Sequence, residues 1–228
     1  MRNLTLSLRQ KRQGKSDAEV LRAKHPMFAD YDAHAQRVWD MLRPHYHEYI
    51  TGVSTSAMAV SIHSARVLYM LCEATKPETA LDLGSGFSSF ILRMYARDCG
   101  HAMTVYSVDD HGDWLQATRD YLENQNVSNE HCYELSDFKA ADTPKFDLTF
   151  HDMGNMATRT RELGMALDGA SDRGVVLVDD MHDRRYGRYA SGLAQDKGMT
   201  VLSMREFTLD DIGRFSGLVV PESVTLSI

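Results

Sequence analysis

The sequence is poor in the residues that staple a fold or anchor it in lipid. Its three cysteines, Cys72, Cys99 and Cys132, are odd in number, far apart, and include no Cys-x-x-Cys pair. That argues against a disulfide frame or a thiolate zinc site and fits reduced thiols in a cytoplasmic protein. No apolar run approaches the roughly 20 residues a membrane helix needs, and nothing resembles a signal peptide. No internal repeat or low-complexity segment stands out. Positive charge is also short: 25 Lys and Arg against 32 Asp and Glu leave a net charge of −7, which argues against a general nucleic-acid-binding surface.

What is present is ordinary globular material, 43% hydrophobic and 25% charged in 228 residues, enough to bury a core in one α/β domain with an N-terminal helical addition. Residues 1–26 form a basic N-terminal arm, with Arg2, Arg9, Lys11, Arg12, Lys15, Arg22 and Lys24 against Asp17 and Glu19, expected to be solvated and partly disordered. Residues 27–73 read as N-terminal helices. Phe28, Tyr31, Val38, Trp39, Leu42, Tyr46 and Tyr49 lie near helical spacing, and Pro44 is expected to separate two helices. A further helix is expected from a cap at Ser54, Thr55 or Ser56 to about Glu73. From 74 to 228 apolar runs at 79–84, 103–109, 131–135, 146–151 and 174–179 alternate with helix-like stretches. That alternation predicts βαβ units and a doubly wound, mostly parallel sheet covered on both faces. Two strand-like runs after residue 198, joined by the turn "TLDDI", predict a C-terminal antiparallel hairpin with no room for a helix.

In such a sheet, ligands bind beyond the carboxyl ends of the strands where the strand order reverses. The first strand and its loop read "TALDLGSGFSSFIL". Gly84 and Gly86 would let the backbone turn sharply and approach a ligand. Asp82 lies within the strand, and Asp109 ends the next one, where a carboxylate can accept ribose hydroxyls. A nicotinamide dinucleotide fits less well. Ser89 stands where Gly-x-Gly-x-x-Gly needs its third glycine, Asp82 would face a pyrophosphate, and about 80 residues precede the loop. A ligand with a cationic centre, an amino-acid end and an adenosine suits these residues better.

The pattern Asp82-Leu83-Gly84-Ser85-Gly86, with Asp109 after the second strand and a terminal hairpin, resembles the class I S-adenosylmethionine-dependent methyltransferases over roughly residues 52–228. The resemblance implies a Rossmann-like seven-stranded sheet. It also implies a cofactor bed of Asp82, Gly84, Ser85, Gly86, Ser88 and Asp109, with Ser136 and Asp137 near the adenine and Asp152 at the reactive end. The chain departs from the pattern at Ser88, where many members carry a third glycine.

Two further strands end in "FHDMGN" and "VLVDDMH". Asp152, Asp179 and Asp180 would share one rim, and three converging carboxylates repel unless a cation offsets them. Oxygen ligands suit magnesium, calcium or manganese. The trio resembles the metal site of catechol-type and macrocin-type O-methyltransferases, and "GVSTSAMAV" resembles their cofactor-flanking segment. The resemblance implies S-adenosylmethionine and a divalent cation, magnesium first, acting on a hydroxyl of a small-molecule acceptor, with Asp152 and His182 as catalytic residues. Catechol-type members carry a lysine as general base where Asn155 stands here, which leaves His182 or His151 as the base, or the metal alone. Asp180 could instead cap a helix.

Other readings stay open: a metal-independent methyltransferase acting on nitrogen or a larger substrate, a non-catalytic cofactor-binding protein, and, as an outsider, a nicotinamide oxidoreductase. Methylation of nucleic-acid amino groups is disfavoured because no Asn/Asp-Pro-Pro-aromatic motif follows the fourth strand. Arg184, Arg185 and Arg188 could meet an acidic substrate. Trp39, Tyr46 and Tyr49 could line an aromatic pocket, but core packing is the better reading of them. Many relatives dimerise, which implies a homodimer through the aromatic N-terminal helices.

Overall fold

The computed structural model describes residues 8–228. Its seven strands are β1 (Thr79–Leu83), β2 (Thr104–Asp109), β3 (Cys132–Glu134), β4 (Phe146–His151), β5 (Ala170–Val178), β6 (Val201–Ser203) and β7 (Gly217–Val219). They form one sheet in the order β3-β2-β1-β4-β5-β7-β6. Only β7 runs against the others. The doubly wound sheet with its terminal antiparallel pair is therefore as the alternating pattern predicts.

Each strand sends alternate residues to opposite faces. Leu81, Leu83, Val108, Val176, Val178 and Val219 face one apolar layer. Ala80, Val105, Leu148, Phe150, Val175, Leu177 and Leu218 face the other. Burying a large apolar side chain such as Phe150 contributes about 2 kcal/mol, so both layers of helices are needed to cover the sheet.

The helices on the chain's N-terminal side are α1 (Leu8–Lys24), α2 (Tyr31–Gly52) and α3 (Ile62–Thr75). Three expectations change here. The stretch read as a solvated arm is largely helical. In α1, Ala18 and Leu21 are fully buried, Asp17 accepts the N–H of Ser203 on edge strand β6 at 2.8 Å, and Arg22 pairs with Glu206. Its basic composition hid a narrow apolar stripe. Residues 1–7 lie outside the described part of the chain.

Pro44 does not divide a helix, since α2 runs through it. An interior proline costs about 3 kcal/mol. The unbroken stripe of Val38, Leu42, Tyr46 and Tyr49, all buried, offsets that loss. Finally, α3 starts later than expected, because Ser61 and not Ser54, Thr55 or Ser56 caps it by accepting the N–H of Ser64.

The remaining helices are α4 (Phe87–Asp98), α5 (Gly112–Asn124), α6 (Leu135–Ala140), α7 (Met156–Gly169), α8 (Arg184–Asp196) and α9 (Arg205–Thr208). The last of these is a correction too. The connection between β6 and β7 holds a helical turn, stabilised by Phe207 packing on Phe28 and Tyr31. No helix among the described residues is long and apolar enough to cross a membrane.

Candidate active site

Strand order reverses between β1 and β4, each of which also pairs with a different outer neighbour. Above their carboxyl ends lies a cavity of about 650 Å³. Register fixes its rim. Leu83 is opposite Val108 and His151, and His151 is opposite Val178. The next residues, Gly84, Asp109, Asp152 and Asp179, therefore emerge side by side.

Gly84 has φ of +110°, and a Cβ there would lie 2.6 Å from the Asp152 carbonyl. Only glycine lets the two loops meet so closely. Gly86 likewise has positive φ, with the Tyr49 hydroxyl 3.0 Å from where its Cβ would be. Between them, Ser85 wraps onto Asp109. Its N–H and Oγ donate to Asp109 Oδ2 at 2.8 and 2.9 Å, while the His111 N–H donates to Oδ1 at 3.0 Å. The indole N–H of Trp114 donates to the Ser85 carbonyl at 2.7 Å. Burial pushes the Asp109 carboxyl up from its ordinary value, against the pull of the Ser85 and His111 hydrogen bonds. Each carboxylate oxygen has two acceptor positions, so Oδ1 keeps one open.

Asp82 lies behind this loop, fully buried. Its Oδ2 accepts the hydroxyls of Ser88, at 3.0 Å, and Ser89, and its Oδ1 has no partner. Ser89 Oγ also accepts the Gly86 N–H and the hydroxyl of Ser107, which in turn accepts from buried Arg93. A chain of two hydroxyls thus separates Arg93 from Asp82. Burial pushes the Asp82 carboxyl up to about 7 despite those donors. Ser88 and Ser89, the serines standing at the two third-glycine positions, are therefore part of the loop's internal scaffold.

The β4–β5 side is built differently. Arg159, on the first turn of α7, reaches back under the rim. Its Nη2 lies 2.5 Å from Asp152 Oδ1 and donates to the carbonyls of Asp152 and Gly154 at 2.9 and 3.2 Å. Its Nη1 pairs with Asp180 Oδ2. Asp180 adopts φ of +56°, which brings its carboxylate into this pairing. Asp179 Oδ1 instead accepts the Ser216 hydroxyl at 2.7 Å. Burial pushes the Asp152 carboxyl up, Arg159 pulls against it, and Asp179 and Asp180 add to the rise. Burial raises Asp179 as well, with Asp180 reinforcing it. Burial would pull Arg159 down, but the surrounding carboxylates leave it raised. Arg214 closes the far wall, paired with Asp210 and donating to the carbonyls of Ser56, Ala57 and Ala59.

Of the residues expected to act, Gly84, Ser85, Gly86, Ser88, Asp109, Asp152, Asp179 and Asp180 line the cavity. So do residues 57–60 of the "GVSTSAMAV" segment. Asp82 supports the loop from behind. Ser136 and Asp137, on α6, do not line the cavity, because β3 ends directly in a helix that carries them away from it. His182 does not line it either, and meets Asp180 at 3.3 Å. His151 is fully buried with Nε2 at 2.9 Å from the Arg159 carbonyl, and burial lowers it to about 4. It has no access to a proton in the cavity. Asn155 caps α7, accepting the N–H groups of Ala157 and Thr158.

The three aspartates do not fit a divalent cation as they stand. Asp152 and Asp180 converge on a guanidinium and Asp179 turns to Ser216. Among the described residues no group of three or more His, Cys, Asp and Glu is arranged to hold a metal. Sequence reasoning missed Arg159, Arg214 and Trp114. The signal for Arg159 was available: converging carboxylates need a counter-charge, and an arginine lies seven residues after Asp152.

No protein-family model matches the chain, and no curated protein matches it. Solved structures share its fold. One is the O-methyltransferase TomG from Streptomyces achromogenes, involved in tomaymycin synthesis and in complex with S-adenosylmethionine. It is 16% identical with a TM-score of 0.58, over 95% of this chain and 98% of TomG. Another is the Bacillus cereus O-methyltransferase in complex with S-adenosylhomocysteine, 14% identical with a TM-score of 0.57 over 83% and 91% of the two chains. A third, the S-adenosylhomocysteine-bound methyltransferase PaMTH1 from Podospora anserina, is 14% identical with a TM-score of 0.56 over 83% and 88%. The chain thus has the fold of the class I O-methyltransferases.

Proposed function

We propose that this chain is an S-adenosylmethionine-dependent methyltransferase acting on a hydroxyl of a small molecule. One observation carries the reading: the cavity at the strand-order reversal is walled by a glycine loop wrapped around Asp109. This is where an adenosine ligand with an amino-acid end would lie.

When bound, S-adenosylmethionine supplies an electrophilic methyl on a sulfonium. The chain supplies the placement. Asp109 Oδ1 would accept one ribose hydroxyl, and Asp110, which lines the cavity beside it, would be available for the other. Gly84 and Gly86 keep the loop free of side chains so that the cofactor lies against backbone. Tyr49, whose hydroxyl makes no full hydrogen bond although the Phe87 N–H comes near it and whose burial keeps it protonated, would donate to the amino-acid end. At the other end Asp152 faces the acceptor. The proton of the acceptor hydroxyl would go to the ionised carboxylate of Asp152 or Asp179, both of which line the cavity. His182 could take part only through Asp180. An enclosed site that sets the oxygen in line with the methyl needs little more. The donor set does not fit the divalent cation that the resemblance implies.

Isothermal titration calorimetry with S-adenosylhomocysteine tests the reading. Wild type should bind, and Asp109→Ala should weaken binding by about 100-fold, corresponding to roughly 3 kcal/mol. A wild type that releases no heat would leave the fold without this function.

A further inference from the structure

The acidic rim raises a question that the proposed function does not settle. Three carboxylates emerge together from β4 and β5, and the cations that face them, Arg159 in direct contact and Arg214 on the cavity wall, belong to the chain itself. Arg159 bridges the two rim loops as a bound ion would. It pairs with Asp152 on one loop and Asp180 on the other, and also takes two backbone carbonyls of the β4 loop. Its side chain is only 7% exposed, against 19% and 20% for the two aspartates. The guanidinium is therefore more buried than the carboxylates, although it too lines the cavity, and its donors are directed at protein acceptors.

This arrangement has two consequences. A divalent ion needs several carboxylate oxygens free to converge at about 2.0–2.6 Å. Here one oxygen of Asp152 and one of Asp180 are turned onto the guanidinium, whose planar fork suits two carboxylates at once, and Asp179 is turned to Ser216. A tethered cation is also present at every ion concentration, so the rim geometry does not depend on metal supply.

We propose that Arg159 is a built-in cation that holds the Asp152 and Asp180 loops together in place of a divalent ion. It is a positioning residue: it fixes Asp152 at the cavity wall and closes the cluster to metal. The proposal rests on the methyl-transfer reading only for what Asp152 then does. Metal occupancy can be measured without any cofactor, so the two ideas fail separately.

The test is electron paramagnetic resonance of free Mn²⁺ titrated with three proteins: wild type, Arg159→Gln, and Arg159→Gln combined with Asp152→Asn. Wild type should leave the free-ion signal unchanged at millimolar Mn²⁺. Arg159→Gln should remove a stoichiometric share of it, because the released carboxylates can converge on the ion, and adding Asp152→Asn should restore the signal. A purely structural arginine would give no such gain. Stoichiometric binding by wild type overturns the proposal. So does a Arg159→Gln protein that keeps a cooperative melting transition and binds no Mn²⁺. Should that variant not fold, the wild-type titration decides alone: an unchanged signal supports the built-in cation and stoichiometric loss overturns it.

Discussion

The two halves of the cavity rim handle buried negative charge in opposite ways. On the β1–β2 side, Asp82 and Asp109 are held by hydroxyls and backbone N–H groups, and the nearest arginine, Arg93, is kept two hydroxyls away from Asp82. On the β4–β5 side, Asp152 and Asp180 touch their arginine directly. Neutral donors orient a carboxylate without cancelling its field, which suits a site awaiting a cationic ligand with sugar hydroxyls. A direct ion pair cancels much of the field and rigidifies the loops that carry it. The difference follows the division of labour proposed above: one side binds by charge and hydrogen bond, the other is set in place so that an acceptor can be aimed.

The two halves meet at a seam where a single added methyl does the most damage. Gly84 of the first loop presses against the Asp152 backbone. Gly84→Ala forces a Cβ into that carbonyl and also demands positive φ of a residue that resists it. Together these cost about 4 kcal/mol. Urea unfolding should show the loss in its midpoint. S-adenosylhomocysteine binding should fall with it, since the same movement reshapes the cofactor bed. A stable variant with normal binding would mean that the two loops are not packed as described.

Whether the insulated carboxylate carries charge shows in the pH dependence of stability. Asp82 is pushed up to about 7 in the folded chain, against about 4 when unfolded. Below about pH 4 both states hold the proton. Between about 4 and 7 the unfolded chain releases it and the folded chain does not, so stability falls as pH rises, and the loss is complete above the folded value. Asp82→Asn removes that slope. Relative to wild type, the variant should gain on the order of 3 kcal/mol between pH 4 and pH 8, read from urea midpoints across the range. A constant difference would mean that the hydroxyls of Ser88 and Ser89 keep Asp82 ionised throughout.

How much of this was legible follows from what sequence encodes locally. The alternation of strands and helices is a pattern of hydrophobic spacing, so the sheet and its terminal hairpin were readable. So were the residues at strand ends, because parallel register carries Asp109, Asp152 and Asp179 to one rim. What failed depended on packing between distant segments. The burial of Ala18 and Leu21 in α1 depends on a groove made by residues near 203–207, nearly two hundred positions later. Pro44 reads as a break until the stripe on either side of it is seen to be buried as one. The partner of Asp152 and Asp180 was the costliest miss. A divalent ion and an arginine answer the same electrostatic need, and only side-chain geometry separates them.

The smallest effect expected is the most specific. The Tyr49 hydroxyl is buried yet makes no full hydrogen bond within the protein, only the Phe87 N–H coming near it, while its ring packs on Phe87 and Tyr121. A buried hydroxyl without a partner is normally a liability. Removing it should leave stability unchanged or slightly raised, because Tyr49→Phe keeps the ring contacts and deletes only the unpaired group. If the hydroxyl waits for the amino-acid end of the cofactor, the same substitution should weaken S-adenosylhomocysteine binding by about 5-fold, the worth of one hydrogen bond at about 1 kcal/mol. Methylthioadenosine, which keeps the adenosine but lacks the amino-acid end, should bind wild type and variant alike. Equal weakening of both ligands would place Tyr49 beside the nucleoside instead. No change in either would make it a core tyrosine whose hydroxyl merely faces the cavity.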